Sequence, residues 1–116
     1  MRILFICTAN VCRSPLAEGY LKSLLAKSGL NGIEVASAGV MALAGSPAFE
    51  CAIEVARQHG FDLSNHKAQQ LGPALASSYD RILCMETWHA SRVIEINPEL
   101  LSKVGLLGSF IRTASR

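Results

Sequence analysis

Ile3-Leu4-Phe5-Ile6-Cys7-Thr8-Ala9-Asn10-Val11-Cys12-Arg13-Ser14-Pro15 is the stretch that decides the reading of the chain. Its first four residues are apolar β-formers without a polar break, the pattern of a short strand buried on both faces. Pro15 suits a first helical position, where its missing N–H costs nothing, and Ser14 is the expected N-cap before it. Residues 7–14 therefore form a loop that leads from a buried strand into a helix N-terminus. Such a loop presents backbone N–H donors and a positive field, which together match a phosphate group.

The side chains of the loop extend that reading. Cys7 opens it, so its sulfur is expected at the base of the cradle made by the amides of Thr8, Ala9, Asn10, Val11, Cys12 and Arg13. The same amides stabilise a thiolate. Arg13 adds a planar, two-pronged donor for phosphate oxygens, and Ser14 can donate its hydroxyl hydrogen to the sulfur. A thiolate aligned behind phosphorus displaces the leaving group and forms a cysteinyl-phosphate, which water then hydrolyses. This chemistry calls for no cofactor and no metal. A cysteine and an arginine six positions apart are a weak signal alone, since Cys7 could be an inert buried thiol and Arg13 a solvated surface residue. The strand before them and the Ser-Pro helix start after them make the combination strong.

Outward from this stretch, Leu16, Ala17, Tyr20, Leu21, Leu24 and Leu25 fall on one helical face, with Lys27 and Gly29 as an end signal. Strands are predicted over 33–38, 81–85 and 104–107. A helix is expected from Pro47, capped by Ser46, to His59, with Gly60 closing it. A short helix is expected over 73–78 and a further one over 87–97, stopped by Pro98. Residues 62–70 read as loop. Strands alternating with helices imply parallel β-α-β units with right-handed crossovers. The expected fold is a three-layer α/β/α domain over 1–116, with a central four-stranded parallel sheet and the phosphate-binding loop after strand 1. Ligands of such sheets bind beyond the C-terminal strand ends, where the winding reverses.

Composition narrows the function classes. The chain has 116 residues, 50% hydrophobic and 17% charged, in keeping with a sheet covered on both faces. A net charge of +2 without a basic stripe argues against nucleic acid as a partner. No apolar run approaches the length of a membrane span or a signal-peptide core, so a membrane partner is not expected. The four cysteines, Cys7, Cys12, Cys51 and Cys84, are accordingly expected as cytoplasmic, reduced thiols. They contain no Cys-x-x-Cys pair, and His59, His66 and His89 do not stand at ligand spacing to them. Cys84, ending a buried strand, and Cys51, within a helix, read as packing. His59, before the helix-ending Gly60, also reads as structural, and Trp88, early on a helix with His89, reads as packing.

At Cys7, Asn10, Cys12, Arg13, Ser14 and Pro15 the sequence resembles the low-molecular-weight protein tyrosine phosphatase family, whose signature is a near-N-terminal C-x5-R-S loop after the first strand. The resemblance continues through Ser37-Ala38-Gly39, Gly60-Phe61-Asp62-Leu63-Ser64, His66-Lys67-Ala68-Gln69, Ile82-Leu83-Cys84-Met85 and Leu106-Leu107-Gly108-Ser109-Phe110. It implies that Cys7 is the nucleophile, Arg13 the phosphate-binding arginine and Ser14 the thiolate's hydrogen-bond partner. It further implies that Asn10 holds the loop in a strained shape, as the tolerance of Asn for left-handed angles permits, and that His66 braces Asn10. Cys12 resembles a neighbour that protects the oxidised nucleophile by a reversible disulfide. The implied activity is a phosphomonoesterase acting on protein phosphotyrosine, with inorganic phosphate or sulfate as a site ligand.

Three departures stand beside this resemblance. The family's general acid lies in an Asp-Pro pair near its C-terminus, and no Asp-Pro occurs here, so the expected domain lacks its acid loop and last helix. The rim, residues 40–45, has Met41 and Leu43 where an aromatic residue is common, and Ala9 replaces a more frequent Gly. Val11 resembles the tyrosine-phosphatase pattern, whereas Thr there would resemble protein-arginine phosphatases. Three alternatives accompany the leading expectation: a protein-arginine phosphatase, a thioredoxin-coupled arsenate reductase and a non-catalytic phosphate-binding domain. An arsenate reductase would need a resolving cysteine soon after Cys84, and none follows.

Overall fold

The structure, a computed structural model, describes residues 1–108. Ser109 and Phe110 of the resemblance lie outside the described residues. In chain order the elements are β1 (Arg2–Cys7), α1 (Arg13–Ser28), β2 (Glu34–Gly39), α2 (Glu50–Gln58), α3 (Pro73–Ser77), β3 (Arg81–Cys84), α4 (Thr87–Ile96), a 3-10 helix (Pro98–Lys103) and β4 (Val104–Leu106). The four strands form one parallel sheet in the order β2-β1-β3-β4, the α/β/α architecture expected from the alternation of elements. Because β1 is flanked by β2 on one side and β3 on the other, the winding reverses at its C-terminal end. That end is Cys7.

Strand β1 is buried on both faces from Leu4 to Cys7, as its uninterrupted apolar run implies. Leu4 and Ile6 are fully buried in the larger core with Ile82 and Cys84 of β3, Ala76 of α3, Val93 of α4 and Leu100. Each such aliphatic side chain contributes roughly 1.5–3 kcal/mol by leaving water. Residues of α1 are absent from that core, and Leu16 packs instead with Ala48, Ala52 and Ala56 around α2. Helices therefore cover both faces, and Cys12 of the loop after β1 packs against the α2 cluster.

The boundaries differ from expectation at two helix starts. Helix α1 begins at Arg13 rather than Pro15, and Ser14 is not its N-cap: Cys12 occupies that position without a side-chain cap. The Ser14 hydroxyl is withheld from capping because it is buried against Cys7 and Asn10. Helix α2 begins at Glu50 rather than Pro47, with Phe49 as an extended N-cap residue. The Ser46 carbonyl accepts from Ala68 N–H at 2.8 Å, and residues 46–48 precede the helix without regular structure. The helical face of α1 is also less buried than its spacing suggests, with Tyr20 and Leu24 exposed. Its end is as expected: Gly29 adopts φ 69° and its N–H returns to the carbonyls of Leu25 and Ala26. No helix among the described residues is long and apolar enough to cross a membrane.

Candidate active site

The loop is held by its carbonyls. The Cys7 carbonyl accepts from Val40 N–H (3.0 Å), Thr8 from Met41 (2.8 Å), Val11 from Phe49 (2.9 Å) and Cys12 from Leu16 (3.1 Å). The Asn10 carbonyl accepts from His66 Nε2 at 2.7 Å, which identifies that nitrogen as protonated, since a carbonyl only accepts. With these oxygens turned outward, the backbone dipoles point inward. Among the described residues, no group accepts from the N–H of residues 8 to 12. These donors are left for an anion.

Asn10 sets the curvature. It is fully buried and takes φ 59°, the left-handed region that Asn enters more readily than most residues. Its Nδ2 donates to Ser14 Oγ and to Ser37 Oγ, each at 2.8 Å, and its Oδ1 accepts from Gln69 N–H at 2.9 Å. Ser37 Oγ passes its own hydrogen to Glu18 Oε1 at 2.6 Å. Because Ser14 Oγ is already an acceptor from Asn10, its single hydrogen is directed at Cys7 Sγ, 2.8 Å away. Gly39 lets strand β2 come close enough to support this turn. A Cβ at Gly39 would stand 2.6 Å from the Thr8 oxygen and 2.9 Å from the Ala9 carbon and Asn10 nitrogen.

Cys7 and Arg13 line one cavity of about 170 Å³ with Thr8, Ala9, Val11, Cys12 and Phe49. The thiol is buried at its base. Arg13 stands half-exposed at the mouth, where its Nη1 meets Glu86 Oε2 at 2.8 Å. A guanidinium carries five N–H donors, so this pair leaves a prong free for phosphate. Glu86 is the N-cap residue of α4 and shares a capping box with His89. Glu86 N–H donates to His89 Nδ1, so the ring hydrogen resides on Nε2, which donates to Thr8 Oγ1 at 3.0 Å. Burial, with a smaller contribution from the Arg13 charge, holds His89 below the ordinary imidazole range and thus neutral.

Every sequence-predicted site residue falls on this loop or touches it, His66 from 56 positions away. Sequence reasoning missed His89, Glu86 and Glu18, which reach the loop or its supports only through the fold. The signal for the first two was present: acceptor and donor groups three apart, as in a capping box, after a buried strand. It also missed Phe49. The rim lacks an aromatic at 40–45, but the exposed ring of Phe49 lines both the Cys7 cavity and an apolar groove of about 530 Å³ with Met41 and Leu43. Cys84 is fully buried, and burial pushes its thiol up to about 12, as befits an inert core group. Among the described residues no cluster of side chains could hold a metal ion. Neither aspartate belongs to the cavity: Asp80 accepts from the Arg2 N–H at the opposite end of β1, and Asp62 is tied to Ser64, whose donors keep it below the usual carboxylate range.

A buried thiol and an arginine line one cavity where the winding of a parallel sheet reverses, the place and the donor set that suit phosphoryl chemistry. The chain belongs to the low molecular weight phosphotyrosine protein phosphatase family, whose sequence model matches residues 2–116. It is 40% identical over 109 residues to the low molecular weight protein-tyrosine-phosphatase Etp of Escherichia coli K12, covering 94% of this chain and 70% of that protein. Among solved structures it is similar to the tyrosine phosphatase Wzb from Escherichia coli K30 in complex with sulphate, with TM-score 0.84 and 40% identity over 94% of this chain and 73% of that one. It is also similar to a YwlE mutant from Bacillus subtilis, with TM-score 0.88 and 34% identity over 95% and 73% of the respective chains.

Proposed function

We propose that this protein hydrolyses phosphotyrosine in proteins, with Cys7 as nucleophile and Arg13 with the amides of Thr8 to Arg13 as the phosphate site. The observation that carries the reading is a buried Cys7 thiol that shares one cavity with Arg13, on a loop whose N–H groups 8 to 12 have no acceptor among the described residues. The dianionic phosphoryl group enters this bowl, and the sulfur stands behind phosphorus for in-line displacement. As the P–O bond breaks and the S–P bond forms, charge spreads over the equatorial oxygens, which the amides and the free prong of Arg13 neutralise. Water then attacks the cysteinyl-phosphate, releasing phosphate and returning the thiolate to the Ser14 hydroxyl. Asn10 and His66 keep the loop in this shape, and Cys12 stands beside Cys7 as a redox guard.

Phe49 and Val11 favour an aromatic phosphoester over an alkyl one, since the ring of a phosphotyrosine leaving the cavity would lie against both. The test is turnover of para-nitrophenyl phosphate, whose leaving phenolate needs little protonation, followed by comparison of phosphotyrosine with phosphoarginine peptides. The expected result is turnover by the native protein, preference for phosphotyrosine, and loss of turnover in Cys7→Ser with retained vanadate or phosphate binding. Turnover surviving Cys7→Ser removes the mechanism, and preference for phosphoarginine removes the substrate assignment.

A further inference from the structure

Three of the four cysteines form a file from the base of the cavity to the surface. Cys7 is buried, Cys12 half-buried and Cys51 exposed. The approach of the outer two is built by the backbone. Phe49 N–H donates to the Val11 carbonyl at 2.9 Å, which clamps the start of α2 to the residue before Cys12. Cys12 then packs in the cluster of Ala48 and Ala52, and Cys51 stands between those two in sequence, on the first turn of α2. Besides burial, Cys51 and then Cys7 raise the Cys12 thiol, which places it within reach of both neighbours. Cys7 and Cys12 share the cavity wall.

We propose that Cys51 is a second resolving thiol, which takes over the disulfide of an oxidised Cys7–Cys12 pair and so returns Cys7 to the thiolate without an external reductant. This rests on Cys7 being the nucleophilic thiol. Hydrogen peroxide oxidises the Cys7 thiolate to the sulfenic acid, its O–O bond breaking and one oxygen leaving, with a proton, as water. Cys12 attacks that sulfur, forming the Cys7–Cys12 bond and expelling a second water. The Cys51 thiolate then attacks Cys12 sulfur; the Cys12–Cys51 bond forms, the Cys7–Cys12 bond breaks, and its electron pair leaves on Cys7. No net electrons move in this last step. The disulfide has only shifted to the surface, where a small thiol can reduce it.

The direction of exchange follows from the surroundings. The departing Cys7 sulfur returns to the amide bowl and the Ser14 hydroxyl. Cys12 is the thiol that packs against the first turn of α2, so attack by Cys51 falls on Cys12 and expels Cys7.

Tryptic cleavage makes the two disulfides distinguishable, because Cys7 and Cys12 share the peptide 3–13 whereas Cys51 lies in the peptide 28–57. The full chain, pulsed with hydrogen peroxide, quenched with catalase and kept free of thiols, is expected to recover para-nitrophenyl phosphate turnover. It should carry a Cys12–Cys51 link between the two peptides, with Cys7 open to iodoacetamide. Cys51→Ser should match the native protein when reduced. After the pulse it should recover at least about tenfold less turnover, hold the internal Cys7–Cys12 link, and revive with dithiothreitol. An oxidised native protein holding only the Cys7–Cys12 link, a link joining Cys7 to Cys51, or equal recovery in both proteins overturns the proposal. Absence of turnover in the reduced protein would refute the phosphatase reading instead, and the peptide map would still decide this one.

Discussion

Replacing Asn10 by Ala tests the bowl at its most constrained point. The side chain makes three buried hydrogen bonds, to Ser14, Ser37 and the Gln69 N–H. The two hydroxyls keep other partners, Cys7 and Glu18, but the Gln69 N–H is orphaned at a cost of roughly 1–3 kcal/mol. Alanine at φ 59° costs about 1–2 kcal/mol more. The expected loss of stability is therefore about 2–5 kcal/mol. Activity should fall for a separate reason. Asn10 makes Ser14 Oγ an acceptor and so aims its hydrogen at Cys7; without that constraint the hydrogen bond to the thiolate is no longer enforced. A bond to a charged group is worth about 1.5–3 kcal/mol, or roughly tenfold to hundredfold in rate. Asn10→Asp isolates this second effect, because it keeps the shape but turns two donors into acceptors. It draws the Ser14 hydrogen away from sulfur and adds negative charge, so its kcat should fall at least as far as that of Asn10→Ala. Urea unfolding followed by circular dichroism and steady-state hydrolysis of para-nitrophenyl phosphate measure the two. Asn10→Ala within about 0.5 kcal/mol of the native stability, or Asn10→Asp with native kcat, would refute the reasoning.

Two other perturbations probe the supports of the loop. His89 titrates below its ordinary value in the fold, so the unfolded chain binds the proton first and stability falls as pH drops through about 6.5. The urea midpoint of the native protein should decrease between pH 7.5 and 5.5, and His89→Gln should lessen that decrease; equal slopes would refute the assignment. Gly39→Ala places a methyl carbon against loop backbone at 2.6 Å, where no flexible side chain can yield. It should cost about 1–3 kcal/mol of stability, the usual range for overpacking. Hydrolysis of para-nitrophenyl phosphate should fall with it, and native turnover would show that the loop does not depend on this approach.

Much of the fold was legible because its signals are local. The uninterrupted run Ile3 to Ile6 and the alternation of strands with helices imply a parallel sheet, and Gly29 marks a helix end by its φ. The helix starts were misjudged because Ser14 and Ser46 carry cap chemistry that tertiary partners take over. Ser14 serves Cys7 and Asn10, and the Ser46 carbonyl binds Ala68. The apolar face of α1 is likewise only partly covered: Leu24 stays exposed, and Tyr20, also exposed, meets the rings of His59 and Phe61.

From the sequence alone came the kind of chemistry: a cysteine and an arginine spaced around an amide-rich turn between a strand and a helix, which is a short-range property of contiguous residues. Tertiary structure alone decided how that turn is held and what surrounds it. His66 and Gln69 secure Asn10, His89 secures Thr8, Glu86 meets Arg13, and Phe49 reaches the rim. These contacts join residues far apart in the chain, and their geometry is set by strand order and the packing of α2 and α4, which no local pattern encodes.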